Sequence, residues 1–94
     1  MRDYVCRKHS GDRYAFMVKD DETETITVYG KYDEGHGHFS DGPEVQLVAD
    51  VPQNLIDEIE ERPTWDSPMS EHLREFTNQI WETIRQDDPW FSFV

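Results

Sequence analysis

Wound at about 100° per residue, Glu71, Glu75 and Glu82 fall within one narrow sector of a helix. Carboxylates held side by side in this way can pair with the arginines and lysines of a basic partner, standing where phosphates would stand. Asp57, Glu58, Glu60 and Glu61 follow one another on an earlier segment, and Asp20, Asp21, Glu22 and Glu24 crowd a polar turn. Part of this acid runs against local helix physics. Glu71 and Glu75 are a like-charged i,i+4 pair. Glu60 and Glu61, and later Asp87 and Asp88, sit at the C-terminal ends of helical segments, where the macrodipole favours cations. Residues that break the same local rule twice point to a gain elsewhere. The expected partner-binding set is therefore Glu71, Glu75 and Glu82, supported by Asp57, Glu58, Glu61, Asp20, Asp21 and Glu22.

A second constellation has metal-ligand types. Cys6-x-x-His9 and His36-x-His38 supply one thiolate and three imidazoles, the donor count of a closed tetrahedral zinc site, with Gly35 and Gly37 able to wrap an ion. Zinc on Cys6, His9, His36 and His38 is thus the alternative to a chain without cofactors. Catalysis has less behind it. The serines lie in no nucleophile-elbow context, the Gly35–His38 stretch is neither a P-loop nor a dinucleotide fingerprint, and the Asp20–Glu24 run lacks the glycine and spacing of an EF-hand. No catalytic residue is assigned, and the chain is read as non-enzymatic.

Charge narrows the partners. Twenty-one Asp and Glu against nine Lys and Arg give a net charge of −12 over 94 residues, which opposes direct binding to nucleic acid or to an anionic membrane. A basic protein is the expected partner. Only three of the nine cations are lysine, and a salt-adapted protein from a high-salt cytoplasm shows the same surface without any partner. Aromatic residues at 13% separate the chain from disordered acidic tails. Cys6 is the only cysteine, so no intramolecular disulfide can form, and the first residues hold no apolar run that would serve as a signal peptide. Both point to the cytoplasm.

The elements that must position these groups follow from periodicity. Tyr14–Val18 is a compact apolar run, and the segment from Glu24 to Tyr29 alternates polar and β-branched residues, which predicts a hairpin. Tyr4–Cys6 adds a short strand. Lys31 to Pro43 reads as a loop, and Glu44–Ala49, mostly apolar, as a central strand. Asp50 with Gln53 has the capping-box pattern for a helix that Pro63 ends. Ser67, with Pro68 at the first helical position, predicts a second helix to about Arg85, with Met69, Leu73, Phe76, Ile80 and Ile84 on one stripe. The Trp90–Val94 tail packs back or adds a strand. The expected fold is α+β and one domain over residues 1–94, with an antiparallel sheet of three to four strands packed against two C-terminal helices.

Duplex DNA carries one charge per roughly 1.7 Å, so a surplus of twelve charges matches about 20 Å, or roughly six base pairs. In size and charge the chain is similar to DNA-mimic inhibitors of the phage anti-restriction and anti-CRISPR class. That resemblance implies an inhibitor that occupies the cationic groove of a nucleic-acid-binding protein.

Overall fold

The computed structural model describes residues 2–35 and 37–94. The chain forms four strands, β1 (Arg2–Ser10), β2 (Arg13–Asp20), β3 (Ile26–Asp33) and β4 (Phe39–Val48). Helices α1 (Gln53–Glu61) and α2 (Glu71–Asp87) and a 3-10 turn at Pro89–Phe91 follow. All four strands pair antiparallel with their sequence neighbours, in the order β1-β2-β3-β4. This is the α+β arrangement expected, with the helices on the C-terminal side.

The side-chain alternation of the strands sorts residues onto two faces. Ala15, Met17, Ile26 and Val28 point to one face and are fully buried beneath Leu55, Ile56, Ile59, Leu73, Ile80, Trp81, Ile84 and Phe91. A register shift between Tyr4 and Cys6 turns Val5 and Cys6 together into this core, as a β-bulge does. Among the described residues, no helix covers the opposite face.

Several local expectations are corrected. The segment from Lys31 to Pro43 is not a loop: β3 runs on to Asp33 and β4 starts at Phe39. Gly30 and Gly42 mark a close approach. A Cβ on Gly30 would lie 2.6 Å from the Trp90 ring and 2.9 Å from Pro43, so the indole packs directly on the strand backbone. The ring is fixed there by its Nε1–H, which donates to Tyr32 Oη at 2.6 Å. β4 is an edge strand and not central, since it pairs only with β3, and its apolar residues Val45, Leu47 and Val48 are half-buried against the helical layer. A register shift at Gly42-Pro43 interrupts it. β1 is longer than Tyr4–Cys6, since the two-residue Gly11-Asp12 turn, with Gly11 at φ +60°, extends its pairing with β2 to Ser10.

Both helix starts also move. Asp50 takes a left-handed conformation (φ +60°), Pro52 holds the N-cap position, and no side chain caps α1. The residue before a proline favours extended backbone, so Val51 delays the helix. Ser67 is occupied elsewhere: its Oγ accepts from the Thr64 N–H at 3.2 Å. Ser70 caps α2 instead, its Oγ accepting from the Leu73 N–H at 3.1 Å. Between the helices, Arg62 gathers the chain onto β1. Its guanidinium donates to the carbonyls of Val5, Trp65 and Ser67.

Candidate interaction surfaces

The acidic residues divide by what they touch. On α2, Glu71, Glu75 and Glu82 lie opposite the buried stripe of Leu73, Thr77, Ile80 and Ile84 and are exposed. Glu82 accepts from Arg85 at 2.5 Å one turn on. On α1, Asp57 and Glu61 are exposed, and Asp57 accepts from Gln53 Nε2 at 2.9 Å. Glu58 turns toward α2, where it accepts from the backbone N–H of Ser70 at 2.7 Å and from the Ser70 hydroxyl. Burial opposes ionisation of Glu58, but these two donors outweigh it and hold its carboxyl below the ordinary value. Glu58 is thus committed to joining the helices.

The hairpin turn is structured by its own acids. Asp20 Oδ1 accepts from the N–H groups of Glu22 (2.8 Å) and Thr23 (3.1 Å), while Glu22 is exposed. Asp21 faces Lys19 at 3.7 Å. Lys19 is fully buried and also meets Glu60 at 3.2 Å and Asp3 at 3.5 Å, so three carboxylates surround one ammonium. Burial disfavours the Lys19 charge, but the hydrogen bond and charge of Glu60, with Asp3, win and raise its pKa. Asp3 is raised too, first by burial and then by neighbouring Asp21. The acid set therefore does not form one continuous face. Residues 50–94 hold eleven acids and three cations, a net of −8, and the first 49 hold ten and six, a net of −4.

The Cys/His set is not assembled among the described residues. Cys6 is buried with its Sγ 3.9 Å from Met17 Sδ, and burial pushes its thiol up to about 11. His9 lies on the other face of the sheet, stacked on Tyr14 with ring centroids 5.0 Å apart. His38 is exposed in the β3–β4 connection, and His36 lies outside the described residues. Among the described residues no three His, Cys, Asp or Glu side chains converge as a metal site.

A third surface emerges from the sheet pairing. On the face without helices, Tyr4, His9, Tyr14, Phe16 and Phe39 form a continuous ring cluster. Phe16 lies 6.2 Å from Tyr4, 6.1 Å from Tyr14 and 5.9 Å from Phe39, and Tyr14 lies 5.2 Å from Phe39. Tyr4, Phe16, Val18, Tyr29, Lys31 and Phe39 line a depression of about 390 Å³. Tyr4 is 57% and Phe39 42% exposed, a large apolar area to leave in water. Arg7 flanks the rings, 5.9 Å from Tyr14, and its guanidinium stacks at 4.0 Å on Trp65. Lys31 pairs with Asp41, which lowers the Asp41 carboxyl through that hydrogen bond. Sequence reading missed this surface because its residues come from four strands. Its one signal was the Tyr14–Val18 run, apolar at every position, as in a strand buried on both sides.

Among the described residues no helix is long and apolar enough to cross a membrane. Compared with protein-family models, curated proteins and solved structures, the chain matches none, so these surfaces are read on their chemistry alone.

Proposed function

We propose that this protein is a non-enzymatic binding module whose acidic helical layer engages a cationic, nucleic-acid-binding protein and competes with its nucleic acid. The observation that carries this reading is the unequal division of charge. The helical half holds a net of −8, and Glu71, Glu75, Asp57 and Glu61 stand exposed on it with no cation partner within ion-pair distance among the described residues. Carboxylates left unpaired on a folded layer are available to guanidinium and ammonium groups of a partner, with a fast and salt-sensitive encounter. Glu82 joins them once Arg85 exchanges for a partner's cation. Glu58, Asp20 and Asp21 serve the fold and contribute only long-range field.

The test is a pull-down from the native host, followed by competition on whatever basic protein is captured. Wild-type chain is expected to retain a DNA- or RNA-binding protein and to displace its nucleic acid. The triple variant Glu71→Lys, Glu75→Lys, Glu82→Lys is expected to do neither. Equal capture by both would exclude this layer as the binding surface.

A further inference from the structure

We propose that the open face of the sheet is a self-association surface, on which a second copy of this chain stacks its own open face about a two-fold axis. The acidic layer's role is not needed for this. The starting point is β2, where Tyr14, Phe16 and Val18 point away from the helices while Ala15 and Met17 point toward them. An antiparallel sheet with one solvated face carries polar residues there. Here that face carries six rings, counting His9 and Tyr29, and Val18 beneath them is 3% exposed. A sheet with a ring cluster on its second face as well calls for a layer on both sides, and helices cover one.

Charge selects the occupant. A second copy carries the same −12, so it is repelled by every strongly acidic part of the surface. Across the body of the open face the strand register places Arg7, Lys31, Asp41 and Glu44, two charges of each sign. At its ends the carboxylates of Asp20 and Asp33 are turned into their own turns, Asp33 Oδ1 accepting from the Gly35 N–H at 2.7 Å. A two-fold contact places a patch on itself, so it must be self-complementary. A balanced patch bearing both signs meets that condition, and Lys31 and Asp41 can exchange partners across the axis. Nucleic acid bases stacking on the same rings would bring phosphates against a strongly anionic molecule, which disfavours them.

The size is adequate for a reversible dimer. Four strands roughly 4.8 Å apart and about eight residues long, at roughly 3.3 Å per residue, give a footprint of roughly 500 Å². Two such footprints reach about the 1,000 Å² at which specific interfaces begin. The dimer would carry its helices outermost, with an acidic layer on each side.

Sedimentation equilibrium of the full chain, from about 5 to about 500 µM, tests this. The apparent mass is expected to rise from 11.2 kDa toward twice that value. The rise should be greater at about 1 M KCl, where screening weakens the mutual repulsion. That salt response is opposite in sign to the one expected for a basic partner on the helices. The double variant Tyr4→Glu, Phe39→Glu is expected to dimerise at least about tenfold more weakly, the Glu71→Lys, Glu75→Lys, Glu82→Lys variant undiminished. If the double variant loses its far-UV spectrum, Phe39→Glu alone is read in its place. A monomer at every concentration and salt, or a double variant that dimerises like wild type, overturns the proposal. So does a fluorescent oligouridine that binds a monomeric wild type and not the double variant.

Discussion

The two faces of the sheet use different chemistry to cover the same backbone. The helix-covered face is built from aliphatic and sulfur side chains, Val5, Ala15, Met17, Ile26 and Val28, which interlock with Leu73, Ile80 and Ile84. The open face is built from rings that touch mainly one another, edge-on or offset, at 5 to 6 Å. Branched aliphatics fill the irregular space between a sheet and helices at high density. Rings lay down large area on a flat surface with few rotamers to lose, which suits a surface awaiting a partner. The difference teaches that one side of the sheet carries the packing that holds the fold, while the other lays out an aromatic surface that the fold itself leaves uncovered.

The sharpest way to break this division is to truncate one residue on each side. Leu73→Ala, at a fully buried position, is expected to cost about 3 kcal/mol in urea unfolding. Phe39→Ala, measured at concentrations where the chain is monomeric, is expected to cost less than about 1 kcal/mol. Comparable losses would show that the rings are core and not surface.

A smaller effect is expected at the rim of the covered face, where Lys19 stands. Lys19→Met keeps an apolar stem but leaves Asp3, Asp21 and Glu60 without their shared cation. Removing one partner from a fully buried pair costs about 3–5 kcal/mol. Because the three carboxylates are partly in water, about 2 kcal/mol is expected here. KCl should restore part of it by screening the carboxylates from one another, and unfolding at low and high salt measures the recovery.

The smallest effect lies within the helical layer. Ser70→Ala removes both the α2 cap and the hydroxyl donor to Glu58, leaving the backbone N–H, for about 1 kcal/mol at neutral pH. The Glu58 carboxyl is held below its ordinary 4.5 in the folded chain, so its contribution is complete above that value and fades as pH falls through the folded one. The gap between wild type and Ser70→Ala should narrow on acidification below about pH 4.5 without closing, since the bond to the Leu73 N–H does not titrate. A gap independent of pH would mean that Glu58 and Ser70 are not coupled.

Much of this was legible in the residues, and the exceptions have physical causes. Leu73, Phe76, Ile80 and Ile84 announce α2 because a helix writes its buried face as a period. The Tyr14–Val18 run announces β2, though not what lies on its second side. Gly30, Gly42 and Pro43 read as loop residues because a sequence cannot reveal that a distant indole, Trp90, needs the missing side chains. Ser67 and Asp50 have cap residue types, but the Ser67 hydroxyl is taken by the turn at Thr64, and Asp50 adopts a left-handed backbone where an N-cap residue is extended. The acidic sector of α2 is legible because spacing along a helix is visible in the chain. The Lys19 cluster, which draws carboxylates from β1, the turn and α1, is not.

The two margins of the sheet carry a further consequence. At one, Arg62 takes the Val5 carbonyl and Trp65 lies over Arg7, so the middle of the outer rim of β1 is occupied by the chain itself. At the other, β4 is broken by the Gly42-Pro43 irregularity and bears Asp41 and Glu44. Proline offers no N–H, and charge deters a flat strand from docking alongside. Sideways recruitment of strands, the usual route by which β-rich chains grow into fibrils, is therefore obstructed at both ends. A molecule so guarded can expose a large aromatic surface and still keep its assemblies finite.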